Sequence, residues 1–356
     1  MAKPFVSVLI DTYNHERFIE KAVVSVLEQD FPAADREILV VDDGSTDGTP
    51  EILKKFAPHL RILRKENGGQ ASAFNAGIPE CKGEIVAFLD GDDWWAEKKL
   101  KRVAETFEAV PAVGIVGHGI VIAGRDGQEQ TEILREGHHF QANTVAGAKL
   151  FRVRCAFLGT SRMTIRAPLL RKIGCVPEGI RIQADEYLFT LAAVLAEVRI
   201  LPEALTFYRL HEANRFQLGE KADAASVRSK RQSLSLLATS IDEKLEAFGV
   251  EKTVRRTVVV YTEACATQLR LALEGGWPWE TAKTEWTLYR VLHPEAGLRH
   301  RMFKLLTLAG ALVTPPRMYY EMRGAVARNG LYRKARERFF PAPRMEHIEK
   351  ERRVAS

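Results

Sequence analysis

The N-terminal third of the chain contains the stretch Phe88-Leu89-Asp90-Gly91-Asp92-Asp93-Trp94-Trp95, in which a short apolar run, Ile85–Leu89, leads directly into three carboxylates. The apolar run predicts a buried strand, and carboxylates clustered at its end repel one another. Mg²⁺ or Mn²⁺ removes this repulsion, because these ions prefer oxygen ligands and commonly bind one or two carboxylates together with substrate phosphates. The alternative is an acidic turn whose aspartate caps a helix that begins near Glu97.

Strands and helices alternate through the first half of the chain. Strands are predicted at Phe5–Ile10, Glu37–Val41, Arg61–Leu63, Ile85–Leu89 and Val113–Ile122. Helices are predicted at Arg17–Gln29, Pro50–Phe56, Gln70–Ile78 and Glu97–Ala109. Apolar strands separated by amphipathic helices indicate an α/β fold with a mostly parallel sheet flanked by helices. From about residue 222 the pattern is helical.

Polar residues and glycines follow four of the predicted strands. The segments are Asp11–Asn14, Asp42–Thr49, Glu66–Gln70 and Asp90–Asp92. Ligands of open α/β sheets bind outside the carboxyl ends of the strands, so these segments are expected to form one site. These segments indicate a nucleoside-diphosphate site. Their carboxylates can accept hydrogen bonds from a nucleobase or ribose, their glycines expose backbone N–H groups, and one carboxylate pair can bind a metal ion. Neither a Gly-x-Gly-x-x-Gly motif nor a Walker loop occurs.

The same segments resemble the motifs of family 2 glycosyltransferases. Four motifs occur in the order typical of that family: Val6–Asn14, Val40–Thr49, Asn67–Gly69 with Asn75–Gly77, and Phe88–Asp93. The resemblance implies a GT-A fold, a nucleotide-sugar donor, a divalent metal ion and inversion at the anomeric carbon. A UDP-sugar is the expected donor, and a glycan or lipid-linked molecule is the expected acceptor.

The resemblance also implies roles for individual residues. Thr12, Tyr13 and Asn14 would lie at the nucleobase pocket, and Asp43, supported by Asp42, would bind the base. The remaining donor-binding residues would be Asn67, Gly69, Gln70, Asp90 and Gly91. Asp92 and Asp90 would hold Mg²⁺ or Mn²⁺, joined by His211 after the last strand of the domain.

One position departs from the family pattern. Many relatives carry Ala-Arg-Asn where this chain has Ala73-Phe74-Asn75, so an arginine contact to the donor is missing. Gln70 or Lys65 would then have to supply it.

An inverting transfer needs a general base on the acceptor hydroxyl. The family places the base in an acidic pair ahead of a helix, and the matching segment here is Ala184-Asp185-Glu186. Asp185 is the expected base. Glu186 is the alternative, because Ala184 replaces the usual glutamate. Both residues could instead be acidic helix-start residues that interact with the helix dipole.

Acceptor contacts are expected from residues 137–181 and from two aromatic side chains. Thr160, Trp94 and Trp95 are the candidates, since aromatic faces suit sugar rings. The alternative for both tryptophans is packing against the predicted helix Glu97–Ala109.

The chain is expected to contain two regions. Residues 1–218 would form the glycosyltransferase domain, with a donor half at about 4–110 and an acceptor half at about 111–218, and residues 219–356 a C-terminal helical extension. The formal net charge is +6, and residues 301–356 carry 13 Lys and Arg against 5 Asp and Glu. Apolar residues beside these cations favour an interfacial helix over a nucleic-acid surface. A packed terminal helix with a solvated basic face is the alternative.

Cysteine usage and the chain's start predict the compartment. The four cysteines form no Cys-x-x-Cys pair, and the N-terminus runs into a strand without a signal-peptide pattern. We therefore expect a cytoplasmic protein, peripheral at the inner face of the cell membrane. The function predicted is metal-dependent transfer of a sugar in surface-polysaccharide or cell-envelope glycan synthesis. The alternative is a non-catalytic nucleotide-sugar-binding module with a membrane-docking tail.

Overall fold

The computed structural model describes residues 5–124, 129–131, 134, 136–211, 224–293 and 297–328. The strands among these residues join one ten-stranded sheet. They are β1 Val6–Thr12, β2 Arg36–Asp42, β3 Arg61–Arg64, β4 Ile85–Asp90, β5 Trp94–Trp95, β6 Val113–Ala123, β7 Glu129–Thr131, β8 His138–Phe140, β9 Thr164–Arg166 and β10 Glu197–Arg209.

The α-helices follow the predicted alternation and then dominate the C-terminal region. They are α1 Ile19–Leu27, α2 Thr49–Lys54, α3 Gln70–Gly77, α4 Lys99–Ala109, α5 Val145–Arg154, α6 Ala167–Ile173, α7 Ala184–Leu195, α8 Ala224–Ala247, α9 Lys252–Glu274, α10 Pro278–Leu292, α11 Leu298–Val313 and α12 Pro316–Arg328. Capping residues determine where several of these helices begin and end. For example, the side chain of Glu251 accepts from the N–H of Thr253 at the start of α9, and Gly275, with φ of +81°, ends it.

The sheet is mixed, with its parallel part in the predicted donor half. The strand order is β3-β2-β1-β4-β9-β6-β10-β5, while β7 pairs with β6 and β8 with β10. Strands β1, β2, β3 and β4 are mutually parallel, as are β6 and β10. Strand β9 is antiparallel to both β4 and β6 and separates the two parallel groups. The predicted α/β architecture is therefore confirmed, with antiparallel strands added in the second half.

Strands β1, β2 and β4 are apolar on both faces because helices cover both faces of the sheet there. Leu9, Val41 and Phe88 belong to one buried cluster, whose members include residues of α3 and α7. Val8 and Ile10 belong to the other, with residues of α1 and α4. This two-sided burial explains the nearly continuous apolar runs of β1, β2 and β4.

The C-terminal helices share their core with the sheet. Leu237 of α8 and Val258 of α9 lie in the same buried cluster as Leu9 of β1. The predicted boundary at residue 218 lies outside the described residues and stays a prediction. Among the described residues, no helix has both the length and the apolar character needed to cross a membrane.

Candidate active site

Three parallel strands end at one edge of the sheet and bring acidic and hydroxyl side chains together. In the strand register, Asp11 of β1 pairs with Asp90 of β4, and Thr12 pairs with Asp42 of β2. Sequence-distant residues thus become neighbours at the carboxyl ends of the strands. This edge is where open α/β sheets bind ligands.

Asp43 holds the loop that precedes α3. Its carboxylate accepts hydrogen bonds from the backbone N–H of Gly68 at 3.0 Å and of Gly69 at 2.7 Å. The side chains of Lys65 and Asn67 donate to it at 2.8 and 3.2 Å. A carboxylate offers about four acceptor positions. A nucleobase N–H would therefore have to replace a side-chain donor, either Lys65 or Asn67.

The loop after β2 is fastened to the loop after β1. Asp42 accepts from the N–H of Ser45 at 2.9 Å, and the Ser45 hydroxyl accepts from the N–H of Asn14 at 2.9 Å. The side-chain carbonyl of Asn14 accepts from the N–H of Thr46 at 2.8 Å. Asn14 has φ of +56°, a left-handed conformation that asparagine tolerates. Asn14 and Asp42 thus shape the loops at the strand ends, and Tyr13, next to Asn14 in the chain, is partly exposed.

A carboxylate cluster follows β4. Asp90, Asp92 and Asp93 each offer an oxygen, and these atoms all lie within 4.8 Å of one another. The Nε2 atom of His211 lies 2.8 Å from Oδ2 of Asp92, and Nε2 of His15 lies 3.8 Å from the same oxygen. The residues predicted to hold a metal ion therefore come together, and their oxygen-rich set fits a divalent cation.

Burial and mutual repulsion separate the pKa values of this cluster. Burial, with the charges of Asp11 and Asp92, raises the pKa of Asp90 well above its ordinary value. Burial and the charge of Asp92 raise the pKa of Asp93 to about 8. Burial acts on Asp92 in the same direction, but the hydrogen bond with His211 helps to hold its pKa below the ordinary value. A bound cation would favour the charged forms of all three carboxylates.

Gln70 connects the donor half of the site to the acceptor half. Its Nε2 atom donates to Oδ1 of Asp90 and to Oγ1 of Thr160, at 3.1 Å in both cases. The backbone N–H of Thr160 in turn donates to Oδ2 of Asp185 at 3.0 Å. A continuous hydrogen-bonded path therefore joins the carboxylate cluster to the candidate base.

Asp185 lies in the first turn of α7. Burial raises its pKa to about 6, although hydrogen bonds, chiefly from the N–H of Thr160, oppose the rise. Its charge acts on Asp11 and Asp90 in turn. A carboxylate that is ionised at neutral pH and has a raised pKa is suited to accept a proton.

Glu186, the alternative base, contacts residues of α5 and α9. The hydroxyl of Thr262 in α9 donates to its Oε1 at 2.5 Å, and the Arg152 guanidinium of α5 lies 3.5 Å from that oxygen. The side chain of Gln183 donates to its Oε2 at 3.2 Å. Glu186 is thus buried and paired with an arginine. Asp185 is partly exposed and is joined through Thr160 and Gln70 to the carboxylate cluster, which favours Asp185 as the base.

The two candidate acceptor tryptophans pack against other side chains of the protein. Trp95 is 3% exposed, and its Nε1 donates to the carbonyl of Ser161 at 2.9 Å. The Trp94 ring stacks on Phe207 with centroids 5.0 Å apart, and the Lys21 Nζ lies 3.5 Å from its centroid. Trp95 is too buried to contact a sugar, and the Trp94 ring already packs against Phe207 and Lys21, so we leave both out of the proposed acceptor site.

Phe74, at the position where many relatives carry arginine, is fully buried. Its ring contacts Phe88 with centroids 5.3 Å apart. Residue 74 therefore belongs to the core. Of the suggested substitutes, Lys65 pairs with Asp43, while Gln70 reaches the carboxylate cluster.

Asp11 is a carboxylate of the site that the sequence reasoning did not assign. Its Oδ1 is buried and has no hydrogen-bond partner among the described residues. Burial, followed by the charge of Asp92, raises its pKa to about 8. The available signal was an acidic residue near the end of an apolar strand, as at Asp42 and Asp90.

Comparisons with known proteins identify the family. The fold and the strand-end carboxylates define a glycosyltransferase of the GT-A class. The family model named Glycosyl transferase family 2 matches residues 7–168. The "Uncharacterized glycosyltransferase alr2836" of Nostoc sp. is 34% identical over 249 residues, covering 68% of this chain and 76% of that protein. The chain belongs to glycosyl transferase family 2.

Two solved structures share the fold. Staphylococcus aureus TarS 1-349 in complex with UDP-GlcNAc superposes with a TM-score of 0.59 at 19% identity, covering 89% of this chain and 91% of that one. The mannosyltransferase PcManGT from Pyrobaculum calidifontis, in complex with GDP-Man and Mn²⁺, gives 0.51 at 19% identity, with coverages of 95% and 88%. At this identity they support the GT-A fold.

Proposed function

We propose that this chain is a metal-dependent inverting glycosyltransferase. It transfers a sugar from a UDP-sugar to a hydroxyl of a glycan or lipid-linked acceptor, in surface-polysaccharide or cell-envelope glycan synthesis. The observation that carries the proposal is the Asp90–Asp92–Asp93 cluster joined by hydrogen bonds to Asp185. The UDP-GlcNAc bound by TarS supports a UDP-sugar donor.

The donor would lie along the strand ends. The nucleobase would enter the depression beside Asp43 that is lined by Gly44, Arg64, Lys65, Glu66 and Asn67. Thr12 and Gly91 would border the ribose. They lie close together, because a Cβ on Gly91 would be 2.6 Å from Oγ1 of Thr12. Asp90 would accept from ribose hydroxyls, as its family position implies.

Asp92, Asp90 and His211 would hold the metal ion. Mg²⁺ or Mn²⁺ bound there would neutralise the diphosphate and assist its departure. The Mn²⁺ of the PcManGT complex supports a divalent ion. Asp93 would contribute indirectly, because its carboxylate accepts from the Ser161 hydroxyl at 2.7 Å and the Arg209 N–H at 3.0 Å.

Asp185 would act as the general base. It accepts the proton of the acceptor hydroxyl while the hydroxyl oxygen bonds to the anomeric carbon. The bond from that carbon to the diphosphate oxygen breaks on the opposite face, which inverts the configuration. Thr160 holds Asp185 through its N–H and would border the acceptor.

The test is calorimetric titration of UDP with and without Mn²⁺, repeated with GDP and dTDP. We expect Mn²⁺-dependent binding of UDP by the native chain and its loss in Asp92→Asn. Asp30→Asn is the matched control, because Asp30 is an exposed aspartate paired with Lys101 outside the site. Tight UDP binding by Asp92→Asn would refute the metal assignment, and preference for GDP or dTDP would correct the donor.

The non-catalytic alternative makes a different prediction. A binding module would bind UDP but would form no UDP from any UDP-sugar, whichever acceptor is present. The substitution Asp185→Asn would then change neither binding nor turnover. An enzyme would bind UDP equally with and without Asp185 but lose turnover in the variant.

The membrane contact is proposed for α11 and its surroundings. Leu306 and Val313 of α11 are 73% and 81% exposed, and Trp277 is 69% exposed. Exposed Arg301 and Arg317 lie on α11 and α12, so apolar residues accompany cations in a way that suits an anionic lipid surface. The basic residues from 329 onward lie outside the described residues.

Vesicle sedimentation tests this contact. The native chain should sediment with phosphatidylcholine–phosphatidylglycerol vesicles more than with phosphatidylcholine alone, and Leu306→Glu should reduce it. The control is Leu236→Glu, which changes an exposed leucine of α8. Equal sedimentation of both variants would refute the α11 surface.

A further inference from the structure

The first turn of α7 contains the candidate base Asp185 and, through Glu186, contacts the C-terminal helices. Glu186 and Arg152 form a buried ion pair at 3.5 Å, with side chains only 7% and 5% exposed. Arg152 also donates to the backbone carbonyl of Val258 at 2.5 Å, one turn before Thr262 in α9. The Thr262 hydroxyl completes the set by donating to Glu186 at 2.5 Å.

These contacts constrain the backbone that enters α7. Gln183, the residue before the helix, has φ of +62° and ψ of +38°, a left-handed conformation that is uncommon for glutamine. Such a conformation persists only where its surroundings hold it. The Gln183 side chain donates to Glu186, so the carboxylate that contacts α5 and α9 also holds this turn.

The backbone of Glu186 in turn contacts the base. Its N–H donates to Oδ1 of Asp185 at 2.9 Å, while the N–H of Thr160 donates to Oδ2 at 3.0 Å. Two backbone groups thus fix the direction of the Asp185 carboxylate. One of them belongs to the residue that α9 and α5 anchor.

We propose that Glu186 is a positioning residue that orients Asp185. Its own carboxylate is held by Thr262 of the C-terminal helix α9 and by Arg152 of α5. The role rests on the proposed function, in which Asp185 is the base. It gives the helical region a part in catalysis that lies outside the matched family segment, residues 7–168.

Two substitutions at one position isolate the anchor. Thr262→Val removes the hydroxyl with little change in shape, and Thr262→Ser keeps it. Thr190→Val is the matched control, because Thr190 is a fully buried threonine of α7 whose hydroxyl has no partner among the described residues. None of these residues contacts the proposed donor site.

Two measurements are made on the full chain. Hydrogen–deuterium exchange follows the amides of residues 159–187 without any ligand. Turnover is followed as release of UDP from UDP-GlcNAc, UDP-glucose and UDP-galactose with Mn²⁺, with water as the acceptor, so that the sugar leaves as the free sugar. In Thr262→Val we expect roughly tenfold faster exchange near the start of α7. Turnover should fall about tenfold to a hundredfold. UDP affinity should stay unchanged.

The outcomes separate this inference from the proposed function. The positioning role would be supported if Thr262→Val loses turnover while Thr262→Ser and Thr190→Val both keep the turnover of the native chain. Equal exchange in Thr262→Val and Thr190→Val would overturn the anchor, and faster exchange with unchanged turnover would overturn the positioning role. A native chain that binds UDP with Mn²⁺ but turns over no donor would refute the proposed function, and the positioning role with it.

Discussion

Replacing Asp185 with asparagine should slow transfer strongly and, at neutral pH, stabilise the protein. The substitution removes the proposed base without changing the size of the side chain. Loss of a general base lowers turnover by about 10²–10⁴-fold. The affinity for UDP and Mn²⁺ should not change, because the contacts assigned to the donor lie on the strand ends.

The stability change follows from the raised pKa of Asp185. Its folded-state pKa of about 6 lies above the ordinary 3.8, so ionisation in the folded protein is unfavourable by about 3 kcal/mol at pH 7.5. This destabilisation is fully present above pH 6 and is lost as the pH falls toward 3.8. Asparagine avoids it but has one acceptor oxygen for two backbone donors, from Thr160 and Glu186, which costs about 1–2 kcal/mol.

The difference between the variant and the native chain should therefore depend on pH. At pH 7.5 the variant should be about 1–2 kcal/mol more stable, and at pH 4.5 no more stable than the native chain or slightly less. Urea unfolding without metal, followed by tryptophan fluorescence, measures both values, with Asp30→Asn as the control. Equal destabilisation at both pH values would refute the raised pKa, and undiminished turnover would refute the base.

Two further substitutions test the metal site and the donor site, the second of them with a control. His211→Ala removes the hydrogen bond to Asp92, so Mn²⁺ affinity measured by calorimetry without nucleotide should fall about tenfold; unchanged affinity would place His211 outside the metal site. Gly69→Ala and Gly249→Ala both put a Cβ on a glycine with positive φ, +85° and +73°. Gly249→Ala should lower the free energy of unfolding by about 1 kcal/mol. Gly69→Ala should lower it by about 1–3 kcal/mol, because Gly69 also has ψ of 178°, a conformation that is nearly restricted to glycine. Only Gly69→Ala should also weaken UDP binding, because the N–H of Gly69 donates to Asp43; equal UDP affinities in the two variants would contradict that role.

The sequence predicted the donor half well because its signals are local. The run Ile85–Leu89 was expected to be a buried strand, and β4 spans Ile85–Asp90. The same holds for the buried strands β1 and β2, whose bounds shift by one or two residues. Strand β3 was also predicted, but it is a mostly exposed strand at the edge of the sheet. Buried parallel strands require apolar side chains on both faces, so composition alone marks them.

The acceptor half could not be predicted in the same way. Strand β9, Thr164–Arg166, is three residues long and is defined by pairing with β4 and β6. A pairing between distant segments leaves little trace in a local pattern. The tryptophans were ambiguous for a related reason, since the partners Phe207 and Ser161 lie far along the chain.

Helix geometry favours Asp185 over Glu186 as the proposed base, a choice between adjacent carboxylates that the sequence left open. Consecutive residues on an α-helix point about 100° apart, so Asp185 and Glu186 at the start of α7 are directed to different surroundings. Asp185 accepts from Thr160 at the edge of the sheet, while Glu186 contacts Thr262 of α9. A buried carboxylate needs such a partner, and here the partner comes from the C-terminal helices. The residue that resembles a second base is therefore better explained as the link between the helical region and the site.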